Sequence, residues 1–271
     1  MEEPKKFPEP VEALVVILLA FGSIIVFAIV ATVITTFLGS TISSDSTNRL
    51  FYIIGGILFF AIPTIYIRFK KYDLISLFRL KPVSGEIIQY SLLIGLTIGI
   101  IGDELDRLVQ IVIPMPEFMQ ELLQVMVANS MFDWIILLLG TVIIAAIGEE
   151  LLFRGFLQVT LENKGDVTRA VILSSLSWTL IHTNPFWAVQ IFIMGVIMGF
   201  LAWRTDSVFP GIIVHAVNNF FALLFINLKL DTELEWYLVG DHVNPILLLP
   251  SIALLVWCIM RITAIYKSEQ Y

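Results

Sequence analysis

The chain has 271 residues, of which 58% are hydrophobic and only 14% charged, with a formal net charge of −7. A soluble domain carries roughly 25% charged residues, so the composition excludes a soluble globular protein and points to a membrane protein. The acidic balance names no partner, because orientation depends on where Lys and Arg fall. No basic run suggests nucleic acid, and the single cysteine, Cys258, excludes an internal disulfide or a cysteine metal cluster.

Crossing a ~30 Å hydrocarbon core takes roughly 20 apolar residues. Apolar runs of that order predict spans at 11–38, 51–68, 86–102, 132–153, 168–184, 186–203, 208–228 and 244–265. The runs are continuous rather than alternating, which argues against a β-barrel. The first run is too long for a signal peptide and lacks a small-residue cleavage site, so it reads as a retained span. The third is short and ends in GDELDR (102–107). The amphipathic stretch VQIVIPMPEFMQELLQVMV (109–127) after it reads as interfacial or re-entrant. The fold expected is an all-α polytopic membrane bundle of about eight transmembrane helices with a polar intramembrane cavity. It forms a single domain over 1–271, with no repeat and no appended soluble domain.

With the N-terminus in the cytoplasm, the cytoplasmic segments collect Lys5, Lys6, Arg68, Lys70, Lys71, Arg79, Lys81, Arg154, Lys164, Arg169, Arg204, Arg261 and Lys267. Arg49, Arg107 and Lys229 remain outside. The positive-inside rule therefore favours cytoplasmic termini. Gly95-x-x-x-Gly99 and Gly195-x-x-x-Gly199 read as close-packing devices, and Cys258 as packing.

An ionised side chain near the bilayer centre costs about 2.5–3.5 kcal/mol on insertion scales, yet AAIGEELLFRGFL (145–157) carries Glu149, Glu150 and Arg154. At about 100° per residue, Glu150 and Arg154 are ~40° apart and can pair on one helix face. Glu149, ~100° from Glu150, faces elsewhere and has no partner on its own helix. His182 closes the fifth span. His215 lies in the seventh, with Asn219 one turn on and Asn218 ~60° away as a second option. The third histidine, His242, falls in the acidic outer loop GDHVN and reads as solvated.

A cavity lined by Glu149, His182, His215 and Asn219 holds the parts for hydrolysis. A carboxylate or imidazole in a dry site can act as general base on water, and imidazole and amide donors can hold an oxyanion. The bland readings are a structural Glu–Arg pair, an interfacial histidine and an interhelical Asn. Five such groups on three helices favour a functional cavity. Two His with one or two Glu could also hold zinc, although the helix of Glu149 has no histidine and so no HExxH.

These motifs, Glu149-Glu150-x-x-x-Arg154, aromatic-x-x-x-His at Trp178 to His182, and His215-x-x-x-Asn219, resemble the signature of the CPBP intramembrane proteases. That family takes in the type II CAAX prenyl endopeptidases and the Abi proteins of bacteriocin processing or immunity. The resemblance covers about residues 130–230, the expected catalytic core. The second motif usually begins with Phe, and Trp178 stands in that place.

The resemblance implies an intramembrane endopeptidase in a bacterial cell membrane, acting on a membrane protein or lipidated peptide. Within it, Glu149 aided by His182 activates water, His215 and Asn219 form the oxyanion side, and Glu150, Arg154 and Trp178 support the site. No cofactor is expected; a zinc, if bound, would use Glu149, His182 and His215. The alternatives are a non-catalytic immunity or scaffold protein of the same family and a small transporter. The transporter lacks an inverted repeat. Counting 1.5 Å per residue, Glu149 lies roughly 8 Å and His215 roughly 12 Å from the cytoplasmic boundary, but His182 roughly 21 Å. A site open to the cytoplasm is expected, with His182 the misfit.

Overall fold

Backbone in hydrocarbon must satisfy its own N–H and C=O groups, which leaves apolar runs the helix. In the computed structural model, which describes residues 7–37, 44–229 and 234–268, seven helices are long and apolar enough to cross a membrane. The chain is an all-α, multi-pass membrane bundle. In order it forms α1 (Pro10–Phe37), α2 (Ser44–Lys70), a turn of helix α3 (Leu74–Leu77), α4 (Gly85–Val112), α5 (Glu117–Leu122), α6 (Met131–Glu162), α7 (Val167–Ile181), α8 (Ala188–Thr205) and α9 (Phe209–Leu228). A two-residue hairpin follows, β1 (Leu238–Val239) against β2 (His242–Val243), and then α10 (Pro245–Ser268).

Besides α2, which starts at Ser44 where the sequence expectation began at 51, three boundaries differ, each for a local reason. The third span does not stop at residue 102. α4 runs through GDELDR to Val112 because every charge there finds a partner. Arg107 Nε donates to Asp103 Oδ2 at 3.0 Å, Gln110 to Asp106 at 2.6 Å, and Tyr237 to Asp103 at 3.0 Å. Glu104 accepts from Val243 N at 2.7 Å and lies 2.8 Å from His242 Nδ1. His242 is therefore a partner that holds the hairpin to α4, and not a merely solvated side chain.

The fourth span continues past residue 153 to Glu162, giving α6 32 residues. The fifth is apolar but only 15 residues long, about 22 Å at 1.5 Å per residue, and so falls short of a ~30 Å core. It starts where Asp166 accepts from the Thr168 and Arg169 amides. It stops at His182, where Thr183 takes a left-handed φ of 50° and Pro185 follows.

Arg68, Lys70, Lys71, Arg79, Lys81, Lys164, Arg169, Arg204, Arg261 and Lys267 gather at one end of the bundle, and Arg107 and Lys229 at the other. Lys5 and Lys6 lie outside the described residues, as does the side chain of Arg49. At the basic end, Arg79 is 5% exposed and joins Glu162 on α6 to Asp206 in the α8–α9 turn, with Lys81 also on Asp206. The Val208 amide donates to the Arg79 carbonyl at 3.0 Å. These contacts tie three connections into one floor.

α4 packs along α9 and α10, α7 along α8, and α2 along α6. The α2–α6 contact is backbone on backbone: a Cβ added at Gly148 would lie 2.2 Å from the Gly56 carbonyl oxygen. This close approach sets the face of α6 that carries the next residue, Glu149. Gly95 and Gly99 of α4 admit Val217 and Phe221 of α9 in the same way, with would-be Cβ contacts of 2.6 and 2.7 Å.

Gly148→Ala therefore forces two backbones apart and is expected to lower folded yield and thermal stability in detergent, at an overpacking cost of about 1–3 kcal/mol or more. Gly102→Ala, whose nearest neighbour would be the Gln190 side-chain oxygen at 3.3 Å, is expected to unfold like the wild type. Thermal unfolding of the two variants side by side tests the assignment.

Candidate functional site

α6 is not a uniform α-helix. Two π-helical segments, Leu138–Ile144 and Leu151–Leu157, bracket the α-helical turn Ala145–Glu150. Such i→i+5 turns occur mostly as short interruptions, frequently at functional sites. The 100° spacing assumed from sequence is thus broken on either side of Glu149 and Glu150. The pair still meets: Arg154 Nη1 donates to Glu150 Oε1 at 2.8 Å, with both side chains 0% exposed.

Arg154 Nη2 also donates to the Gly195 carbonyl at 3.3 Å, and one turn on Gln158 Nε2 donates to the Gly199 carbonyl at 2.9 Å. Gly195 and Gly199 do more than let helices approach. A Cβ there would sit 3.2 Å from Arg154 Nη2 and 2.9 Å from Gln158 Oε1, so the glycines open α8 to α6's polar face. Gln158 passes the chain to Glu162 at 2.9 Å, which meets Arg79. A buried polar ladder thus runs from Glu150 to the basic end.

Glu150 has a second partner that sequence spacing did not give: His215 Nδ1 on α9 lies 3.2 Å from Glu150 Oε1. A carboxylate paired with Arg accepts, so the imidazole donates through Nδ1, which leaves Nε2 turned toward Glu149. His182 is fixed from the other side, since its Nδ1 lies 2.8 Å from the Trp178 carbonyl. A carbonyl only accepts, so Nδ1 carries a proton and Nε2 again faces Glu149. Both Nε2 atoms are 3.9 Å from Glu149 Oε2.

Trp178 joins these groups. Its indole Nε1–H donates to Glu149 Oε2 at 2.6 Å, and its ring face lies 4.4 Å from the Arg154 guanidinium. Its edges meet both imidazoles at centroid distances of 4.9 Å (His182) and 5.3 Å (His215). The resemblance gave Trp178 only a supporting place; in the structure it is a hydrogen-bond donor to the carboxylate. The available signal was the replacement of the usual Phe by the one aromatic carrying an N–H.

Asn219 is one turn from His215 but turns its amide to α6, donating to the Thr141 carbonyl in the first π segment at 2.9 Å. One amide proton is thereby used in docking α9, and the second remains. Asn218 makes no hydrogen bond to the carboxylates among the described residues. By the helix ends observed, Glu149 is thirteen residues above the end of α6 at Glu162, about 20 Å, close to the ~22 Å length of α7 below His182, while His215 is six residues, about 9 Å, from the start of α9.

The donors Glu149, His182 and His215 are of a type zinc accepts. As placed they are wider than a cage: ligand atoms about 2.0–2.2 Å from a tetrahedral zinc lie roughly 3.3–3.6 Å apart, against 3.9 Å here. The Trp178 N–H already occupies the facing oxygen. No group of three or more His, Cys, Asp or Glu among the described residues is arranged to hold a metal ion.

Residues 131–221 match the family model described as Type II CAAX prenyl endopeptidase Rce1-like. The match covers about a third of the chain, and that stretch contains every residue of the site. No curated protein and no solved structure matches the chain.

Arg154→Ala leaves Glu150 as a buried charge supported only by His215, and is expected to cost about 3–5 kcal/mol. Replacing both partners, as Glu150→Gln with Arg154→Met, is expected to recover most of that loss, because no uncompensated charge remains. Chemical or thermal unfolding of the single and double variants measures the difference.

Proposed function

We propose that the chain is an intramembrane endopeptidase in which Glu149, assisted by His182, takes a proton from a water molecule that attacks a peptide carbonyl. The observation that carries this reading is the convergence on one carboxylate oxygen of two imidazole Nε2 atoms, each 3.9 Å away. A separation of that size is too long for a direct hydrogen bond and is what a shared water would bridge.

In this mechanism the water oxygen bonds to the carbonyl carbon while its proton passes to Glu149. The oxyanion forms beside His215, whose ring Glu150 orients through Nδ1. The second amide proton of Asn219 is the further donor on the oxyanion side. Collapse then breaks the C–N bond, and the proton held by Glu149 goes to the departing amine. No nucleophilic serine or cysteine is needed, and Cys258 is buried in α10, which carries none of these groups. The substrates in view are membrane proteins or lipidated peptides.

Glu149→Gln is expected to keep the fold and lose peptide cleavage by a factor of about 10²–10⁴ or more, read with purified protein and a membrane-anchored peptide library. Wild-type rates in that variant would remove Glu149 as the base. Dialysis against a strong chelator, with metal content measured before and after, is expected to leave the rate unchanged. Loss on chelation with recovery on adding zinc would move Glu149, His182 and His215 from base and donors to ligands.

A further inference from the structure

Trp178 stands one turn before His182 on α7, and its side chain is fully buried. A buried indole N–H has to find an acceptor, and here that acceptor is Glu149 Oε2, at 2.6 Å. Among the described residues, no other group donates a hydrogen bond to Glu149. The phenylalanine usual at this place in the family signature has no N–H and would leave the carboxylate without that donor.

The same residue holds the second member of the water-activating pair through its backbone. His182 Nδ1 lies 2.8 Å from the Trp178 carbonyl, which keeps the proton on Nδ1 and leaves Nε2 facing Glu149. The indole edge packs on both imidazoles and its face lies on Arg154, so the ring is clamped on three sides. A carboxylate oxygen offers about two lone-pair directions. The indole takes one of those on Oε2, and the other is left for a water between Oε2 and the two Nε2 atoms, each 3.9 Å away. The terminal torsion of a glutamate is broad and roughly two-fold. Without the indole, no described donor fixes which way the carboxylate turns.

We infer that Trp178 is a positioning residue of the reaction. Its N–H fixes the Glu149 carboxylate and its C=O fixes the His182 ring, so that Oε2 and Nε2 meet the same water. The inference rests on the hydrolase reading above. It also carries a consequence opposite to what the family pattern alone implies. The base of this chain depends on a donor that the usual residue does not supply, so restoring phenylalanine slows this protein.

Two substitutions separate the N–H from the ring. Trp178→Phe removes the donor and part of the volume. β-(3-Benzothienyl)alanine, placed at position 178 by stop-codon suppression, keeps the bicyclic shape with sulfur where the N–H stands. Both retain the carbonyl that His182 uses. With purified full-length protein and a membrane-anchored peptide that it cleaves, kcat is expected to fall about 10–100-fold in both. KM is expected to stay within about twofold, because the lost bond acts on the base and not on the substrate. Wild-type kcat in both variants overturns the inference. So does a loss in Trp178→Phe that the benzothienyl side chain restores, which would make the role one of packing, and so does a change in KM alone. The hydrogen bond is read separately by labelling the six tryptophans with indole ¹⁵N. The cross-peak missing from Trp178→Phe is expected to lie downfield of the others and to move upfield in Glu149→Gln. A cross-peak that does not move overturns the inference. One that moves, in a wild-type protein that cuts no peptide, sinks the hydrolase reading and the positioning role with it, and leaves the hydrogen bond standing.

Discussion

A charged residue in hydrocarbon has to be compensated where it stands, and the Glu150–Arg154 pair is the point from which the rest of this site is organised. Both side chains are fully buried, so their mutual attraction acts where the dielectric is low and the cost of losing either partner is high. Each then recruits further groups. Arg154 takes a carbonyl of α8 and the face of Trp178, and Glu150 takes His215 of α9. Four helices are thereby held in register by one ion pair, and the imidazole that faces Glu149 is oriented by it.

The same pair explains why the two adjacent glutamates do different work. Glu150 is held through Oε1 by both Arg154 and His215 inside the packed core. Glu149, one residue earlier and aimed at α7, has a single strong donor, the Trp178 N–H. Two imidazole nitrogens stand about one water away from it. The π segments on either side and the backbone contact of Gly148 with Gly56 turn this residue toward α7. Local helix irregularity and close helix packing thus serve the placement of one carboxylate.

Much of this was legible in the sequence because membrane insertion makes polar residues expensive. The all-α class, the positions of the long spans, and the set Glu149, Glu150, Arg154, His182, His215 and Asn219 follow from composition, periodicity and motif spacing. The partners across helices were not legible. Nothing in one sequence tells that Gly195 and Gly199 offer their carbonyls to Arg154 and Gln158, that Asn219 would turn to Thr141, or that His242 would hold Glu104. Helix ends were misplaced where charge made a helix look finished. GDELDR continues α4 because its charges are paired, and α6 runs beyond Arg154 because Gln158 and Glu162 extend its polar face. The uniform 100° rule could not anticipate the π segments, although the Glu150–Arg154 pairing survived them.

The central claim is that Glu149 acts on water and does not itself attack the peptide. Single-turnover cleavage in ¹⁸O-labelled water, followed by mass spectrometry of both product and protein, tests this most directly. The account predicts one ¹⁸O in the new carboxyl terminus of the product and none in the side chain of Glu149. Label appearing in Glu149, the mark of a covalent acyl intermediate resolved by water, would contradict it.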